Sequence, residues 1–245
     1  RIFPGAQVAI VQKGEMIFNG GFGYQTYDID SPLVTEKTMY DIASLTKVVV
    51  AVPVAMKLIS QKKLSLDQSI QQFYPKFTGK WKENVTIRHL MTHSSGLKDY
   101  YPFYQNENIH NRDDILEFIL NSKLEFEPGE KAKYSDLGFI LLSSIIEKVS
   151  RRPLDTMAES WIFQPLRMEN TNYNPPKSSR GIIAPTELDT EYRHRLLHGE
   201  VHDENTYLMG GVSGHAGVFS TAEDIAKYAQ MLVDGGLWQG KRFFT

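Results

Sequence analysis

The chain has 245 residues, of which 41% are hydrophobic and 23% charged, and a formal net charge of −2. That is enough apolar matter for a real core, and the near-neutral balance excludes a nucleic-acid footprint or a charged membrane-surface patch. There is no cysteine, so disulfides and thiolate metal sites are excluded, and no apolar run reaches the roughly 20 residues that span a bilayer.

Taken in chain order, AQVAIVQ (6–12), KGE and MIFNGGFGYQ (16–25) read as a β-hairpin with a glycine in its turn. In DIASLTKVVV (41–50) a polar stretch turns apolar, and a helical pattern runs from Ser44 to about Lys62. Asp41 or Ser44 can cap it; alternatively Ser44 is a nucleophile and Lys47 its base, since positions i and i+3 share a helix face. LSLDQSIQQFYP (64–75) predicts a short amphipathic helix, and TIRHLMTHSSGL (86–97) another, capped by Thr86 and stopped at Gly96. NRDDILEFILNS (111–122) is helical with acid in its first turn. EFEPGEKAKYSD (125–136) is a Pro-Gly loop, LGFILLSSIIEKVS (137–150) a strongly apolar helix, and PLDTMAESWIFQPL (153–166) a helix stopped near Pro165. Residues 172–206 predict a long irregular loop, of the kind that is usually functional or disordered. TAEDIAKYAQMLVDGG (221–236) is a helix capped by Thr221 and ended by Gly235.

S-x-x-K is a short pattern with frequent chance matches, and three further stretches decide its weight. HSSGL (93–97) ends one short helix, YSD (134–136) precedes an apolar helix, and GGVSGHAGVFSTAED (210–224) leads into the capped one. Their order and spacing resemble the serine β-lactamase and penicillin-binding protein family, most closely the class C-like branch of D-Ala-D-Ala carboxypeptidases and related esterases. PGAQVAIVQKGE, LMTHSSGL, FEPGEKAKYSDLGFILLSSIIEKVS and FSTAEDIAKYAQMLVDGG carry the likeness over essentially the whole chain.

The resemblance implies an α+β, β-lactamase/transpeptidase-like fold: an antiparallel sheet flanked by helices, beginning with residues 5–25, plus a mostly helical subdomain. The division expected is 1–77 with 205–245 for the sheet-and-helix part and 78–204 for the helical part, with Ser44 in the groove between. It further implies that Ser44 accepts the acyl group while Lys47 and Tyr134 form a coupled base, because a serine hydroxyl is a weak nucleophile without one. Asp136 stands where the family more often has Asn. An ionised Asp only accepts hydrogen bonds, so Asp136 is expected to hold Lys47 and to bind a substrate amide carbonyl poorly.

The family's third motif, Lys or His, then Thr or Ser, then Gly, has one tempting match in HAG (215–217), which makes His215 a substrate-binding candidate beside Asp136. Its place directly before the capped helix, outside any alternating strand and too soon after Tyr134 for the family's usual layout, argues for a decoy. That point, with the scarcity of strands after residue 40, leads to the expectation of an incomplete piece of a longer protein, lacking C-terminal strands and exposing its hairpin face. His93 is expected to brace its loop. DYYPFY (99–104) either walls the cleft or fills its own loop. HGEVHDENTY (198–207) invites a metal reading, but its spacing fits no tight ligand pattern; a pocket-lining loop near Ser44, pinned by polar contacts, is preferred, and no metal and no cofactor is expected.

The function implied is acyl transfer to water from a β-lactam, a D-Ala-D-Ala-type peptide or an ester; the alternative is a catalytically weak module that binds cell-wall peptide or a partner. The implied partner is a small-molecule or cell-wall peptide substrate, with no nucleic acid and no membrane span in this chain. Fusion to another hydrolase module is compatible with it. The resemblance places the protein in the bacterial cell envelope, periplasmic or secreted; since the chain opens on Arg1, an export signal can lie upstream.

Overall fold

A computed structural model describes residues 2–243. β1 (Gly5–Gln12) and β2 (Glu15–Gly23) pair antiparallel from Gly5↔Gly23 to Gln12↔Glu15. Lys13 and Gly14 turn the chain between them, both at positive φ (52° and 83°), which suits the right-handed twist of a tight hairpin. Val8, Ile10, Ile17 and Phe22 are exposed, and no third strand joins the pair among the described residues.

A second sheet has the order β3 (Tyr40–Asp41), β7 (Val218–Ser220), β4 (Asn172–Tyr173), all antiparallel. Its central strand lies where the sequence showed none. Val, Phe and Ser at 218–220 are all buried, so the run lacks the alternation that betrays a half-exposed strand. Two-stranded ladders β5 (Leu188–Asp189) with β6 (Arg195–Leu196) and β8 (Leu237–Trp238) with β9 (Lys241–Arg242) complete the strands described.

The helices are α1 (Val52–Ser60), α2 (Ile87–Met91), α3 (Arg112–Asn121), α4 (Asp136–Ser150), α5 (Leu154–Ala158), α6 (Gln164–Leu166), α7 (Glu204–Leu208) and α8 (Ala222–Val233). α4 is the central pillar. Leu137, Phe139–Leu142, Ile145 and Ile146 are buried, and α1, α2, α3 and α5 pack round it. A helix apolar on every side belongs inside. Its caps are local: the Ser135 hydroxyl accepts from Gly138 N–H, and Asn111 does the same for α3. α8 lies on β1, where Ala222 N–H donates to Gln7 Oε1 at 2.6 Å and Asn19 donates to Glu223 at 3.0 Å.

Three sequence expectations are revised. LSLDQSIQQFYP forms only a 3-10 turn at Ile70–Gln72, because its backbone bonds elsewhere: Ile70 N–H reaches Val85 O, and Ile87 and Arg88 N–H reach back to Gln68 and Leu66 carbonyls. α2 ends before Gly96, since His93 itself takes the left-handed conformation (φ 55°). Gly96 (φ 80°) makes a separate close approach, where a Cβ would stand 2.3 Å from Phe126 O. Residues 172–206 are no loose loop. A buried Asp189–Arg193 pair at 2.8 Å pins them, with the guanidinium also donating to Val201 and His202 carbonyls at 2.6 Å. Polar contacts of this kind leave no hydrophobic period in a sequence.

Candidate active site

β3 delivers the chain to Ser44 through a sharp turn. Ala43 sits at φ 45°, a costly conformation for a residue with a Cβ, and its N–H donates to Asp41 Oδ1 at 2.8 Å. The Leu45, Thr46 and Lys47 amides donate to the Ile42, Ala43 and Ser44 carbonyls. The Ser44 amide donates to no described residue, so exposed Ser44 carries both a hydroxyl and a free backbone donor.

The helix that follows begins as a π turn, Lys47–Ala51, with Val52 N–H donating to Lys47 O. Pro53 explains the widening: it has no N–H for the Val49 carbonyl, and its ring needs room there. The same device recurs at Glu159–Phe163, two residues before Pro165. Thr46 Oγ1 accepts from Val218 N–H at 3.2 Å, and Tyr228 on α8 donates to Val48 O at 2.6 Å, so β7 and α8 hold this segment from both sides.

Lys47 points inward and its side chain is only 3% exposed. Its Nζ lies 2.9 Å from Ser44 Oγ, 3.0 Å from His215 O and 2.7 Å from Asp136 Oδ1. Ser44 Oγ and the His215 carbonyl accept hydrogens of the ammonium, and the Asp136 carboxylate faces its charge. The Asp136 contact is charge against charge at short range rather than an aligned hydrogen bond.

Asp136 opens α4, where its carboxylate also faces the positive end of the helix, and its own N–H donates to Asp99 O at 2.8 Å. Two residues earlier, Tyr134 lies with its ring centroid 4.7 Å from Lys47 Nζ and is 51% exposed. His93 stacks on Tyr134 at 4.5 Å and touches Phe139 at 4.9 Å, and its Nδ1 accepts from Ser135 N–H at 3.0 Å. Burial, and then the Lys47 charge, push the His93 pKa below that of an ordinary histidine, outweighing Asp136 and Ser135. A neutral ring with Nδ1 as acceptor fits that environment.

The structure therefore brings Ser44, Lys47, Tyr134 and Asp136 together from two separate segments. His215 joins them by its backbone alone. Its ring is 1% exposed and turned inward, with Nε2 at 2.8 Å from Asp203 Oδ1 and 3.2 Å from Thr206 Oγ1, and Nδ1 at 2.8 Å from Ser213 Oγ. That imidazole has no open edge to offer a substrate.

The Beta-lactamase family profile matches residues 1–242. The chain belongs to the beta-lactamase family. It is 32% identical, over 99% of its length, to the N-acetylmuramyl-L-alanine amidase of Bacillus subtilis (strain 168), and 34% identical, again over 99%, to a protein of Escherichia coli (strain K12) named "Putative D-alanyl-D-alanine carboxypeptidase". It covers 62% and 63% of those two proteins, and so spans less than two thirds of their length. The octameric penicillin-binding protein homologue from Pyrococcus abyssi superposes with a TM-score of 0.76 at 26% identity, covering 96% of this chain and 54% of that one. The β-lactamase/transpeptidase-like α+β fold follows from these matches.

Within this beta-lactamase-family chain, several residues make contacts that the sequence does not announce. His93 braces its loop through Ser135 N–H and is also the platform under Tyr134. Asp203 lies in HGEVHDENTY. Its carboxylate is committed to His215 and Thr206: burial opposes its ionisation, but those partners hold its pKa well below the usual carboxylate range. His198 contacts the Arg180 and Ile183 carbonyls and His202 faces Glu187, and no group of three metal-ligating side chains occurs among the described residues. Asp41 links Ala43 to His202 N–H. In DYYPFY, Tyr101 and Phe103 pack on each other and on Phe118, and burial, then Glu204 and Tyr104, raise the pKa of the Tyr100 hydroxyl. No helix among the described residues is long and apolar enough to cross a membrane.

Proposed function

We propose that this chain is a serine acyl-transfer hydrolase in which Ser44 forms a covalent acyl-enzyme. The observation that carries the reading is the 2.9 Å contact of Lys47 Nζ with Ser44 Oγ, made by a lysine whose other two oxygen neighbours are Asp136 Oδ1 and the His215 carbonyl. An ammonium donating to Oγ stabilises the oxygen as negative charge develops on it, and it leaves the hydroxyl hydrogen directed elsewhere. The acylating form is the one in which the Lys47–Tyr134 pair has already lost a proton, from Lys47 or from Tyr134; that group takes the Oγ proton as Oγ bonds to the substrate carbonyl carbon. The same pair returns a proton to the departing alcohol or amine, and water, activated in the same way, cleaves the acyl-serine. The uncommitted Ser44 amide supplies one donor for the oxyanion.

The acyl donors proposed are D-Ala-D-Ala-type cell-wall peptides, esters and β-lactams; the names of the amidase and carboxypeptidase relatives support the first class. The groove lies between a sheet-and-helix part (1–77 with 205–245) and a helical part (78–204), since Lys47 draws one partner from residue 136 and another from residue 215. A cell-envelope location, periplasmic or secreted, goes with such substrates. Incubation with a fluorophosphonate or fluorescent penicillin should add one adduct that maps to the peptide carrying Ser44. Equal labelling of Ser44→Ala would end the assignment. A panel of a p-nitrophenyl ester, nitrocefin and a D-Ala-D-Ala peptide then sorts the substrate class.

A further inference from the structure

We propose that Asp203 and His215 form a buried clamp that positions Lys47 against Ser44, acting through the His215 backbone carbonyl; its effect on rate rests on the hydrolase reading, its effect on Lys47 does not. Two of the three oxygens round Lys47 Nζ belong to side chains, Ser44 Oγ and Asp136 Oδ1. The third is a peptide carbonyl, His215 O at 3.0 Å, which is only as fixed as the chain around it. That chain reads Ser213-Gly-His-Ala-Gly217, and its glycines contribute no stiffness. They are required by close approach: a Cβ on Gly214 would stand 2.7 Å from Phe139 O, and one on Gly217 (φ 118°) 2.7 Å from Gly211 O.

Tyr173 ties the Ser213 carbonyl at 2.8 Å and β7 holds the chain from Val218; between these two points the fixing contacts are those of the His215 ring. Both ring nitrogens are bonded, Nε2 to Asp203 and Thr206 and Nδ1 to Ser213, inside a pocket that leaves the ring 1% exposed. The ring cannot leave its place without breaking a charge-assisted bond, so it anchors the Cα from which the 215 carbonyl projects. Asp203 is anchored in its turn by Thr206 N–H at 2.6 Å, the first-turn donor of α7. The preceding residue completes the device. His202 N–H donates to Asp41 Oδ2 at 2.7 Å, and Asp41 Oδ1 holds Ala43 N–H, next to Ser44. Two consecutive residues of one short segment thus hold the turn that carries Ser44 and the carbonyl that aims Lys47. His215 and Asp203 are positioning residues in this account and touch no substrate.

The test follows the Lys47 ammonium hydrogens directly, by nitrogen-detected NMR of their exchange with water, alongside fluorophosphonate acylation normalised to titrated sites. In Asp203→Ala and His215→Ala, exchange should accelerate at least about tenfold, and acylation per site should slow by a similar factor at unchanged half-saturation, because a buried network gives way when one member is lost. His215→Gln, whose amide can still donate to Asp203, should stay within about threefold of wild type. The double alanine variant should be no worse than either single one. A purely structural role would lower the thermal midpoint and the number of titratable sites while leaving Lys47 exchange and rate per site alone, and that result overturns the clamp. If the alanine variants do not fold, Asp203→Asn decides, with exchange accelerated about threefold or more expected as a charged bond becomes neutral, and unchanged exchange overturning it. Wild-type protein that fails to acylate while the exchange contrast holds would remove the hydrolase reading and leave the clamp standing.

Discussion

Replacing Asp136 by alanine strips Lys47 of its one anionic partner. The two side chains are 18% and 3% exposed and meet at 2.7 Å, so the remaining ammonium would be left largely buried. Breaking such a pair by removing one partner costs about 3–5 kcal/mol. The low end applies, since Lys47 keeps two neutral acceptors, Ser44 Oγ and His215 O, although loss of a carboxylate at the first residue of α4 adds about 0.5 kcal/mol. The expected loss is about 3 kcal/mol, which at an unfolding entropy of about 2.1 cal/mol/K per residue lowers the melting temperature by about 6 °C. Asp136→Asn keeps the shape and one acceptor and should cost only about 1–2 kcal/mol. Urea unfolding at pH 7 followed by tryptophan fluorescence, with calorimetry for the midpoint, measures both. An alanine variant within about 1 kcal/mol of wild type would show that the pair contributes specificity at most and would refute the reasoning. The asparagine variant has a second readout. Asn donates where ionised Asp only accepts, so turnover of amide-type substrates should improve relative to simple esters. An unchanged ratio counts against the role given to Asp136.

Lys47→Ala and Tyr134→Phe should each cost nearly as much rate as the double variant, because a coupled base fails when either half is lost; losses that add in log rate would show two independent groups. Gly96→Ala should destabilise by more than about 2 kcal/mol, since it combines a left-handed φ with a Cβ 2.3 Å from the Phe126 carbonyl, and a smaller change in denaturation midpoint would mean that the 124–126 segment yields easily. His93 titrates below its ordinary pKa of about 6.5, so its contribution to stability is present above that pH and is lost as pH falls through it, with Ser135 N–H losing its acceptor. The stability lost between about pH 7 and 5 should accordingly be smaller in His93→Gln than in wild type, and equal slopes would exclude His93 as a source of the acid limb.

The sequence by itself determined the elements whose cause is local. The hairpin at 5–23, the Thr86 and Thr221 caps, and the apolar pillar 137–150 follow from turn residues, capping oxygens and periodicity, which act between neighbours in the chain. Ser44 and Lys47 were legible together for the same reason, being three residues apart. Tertiary structure decided the rest. The central strand 218–220 is buried on every side and carries no alternation, so only its pairing with β3 and β4 reveals it. The inward turn of the His215 ring, the use of its carbonyl by Lys47, the commitment of Asp203 to that ring and the stacking of His93 under Tyr134 all join residues distant in sequence. A residue type states what a side chain can donate or accept; which partner takes it up depends on packing, because a buried polar atom bonds with whatever the fold brings within about 3 Å.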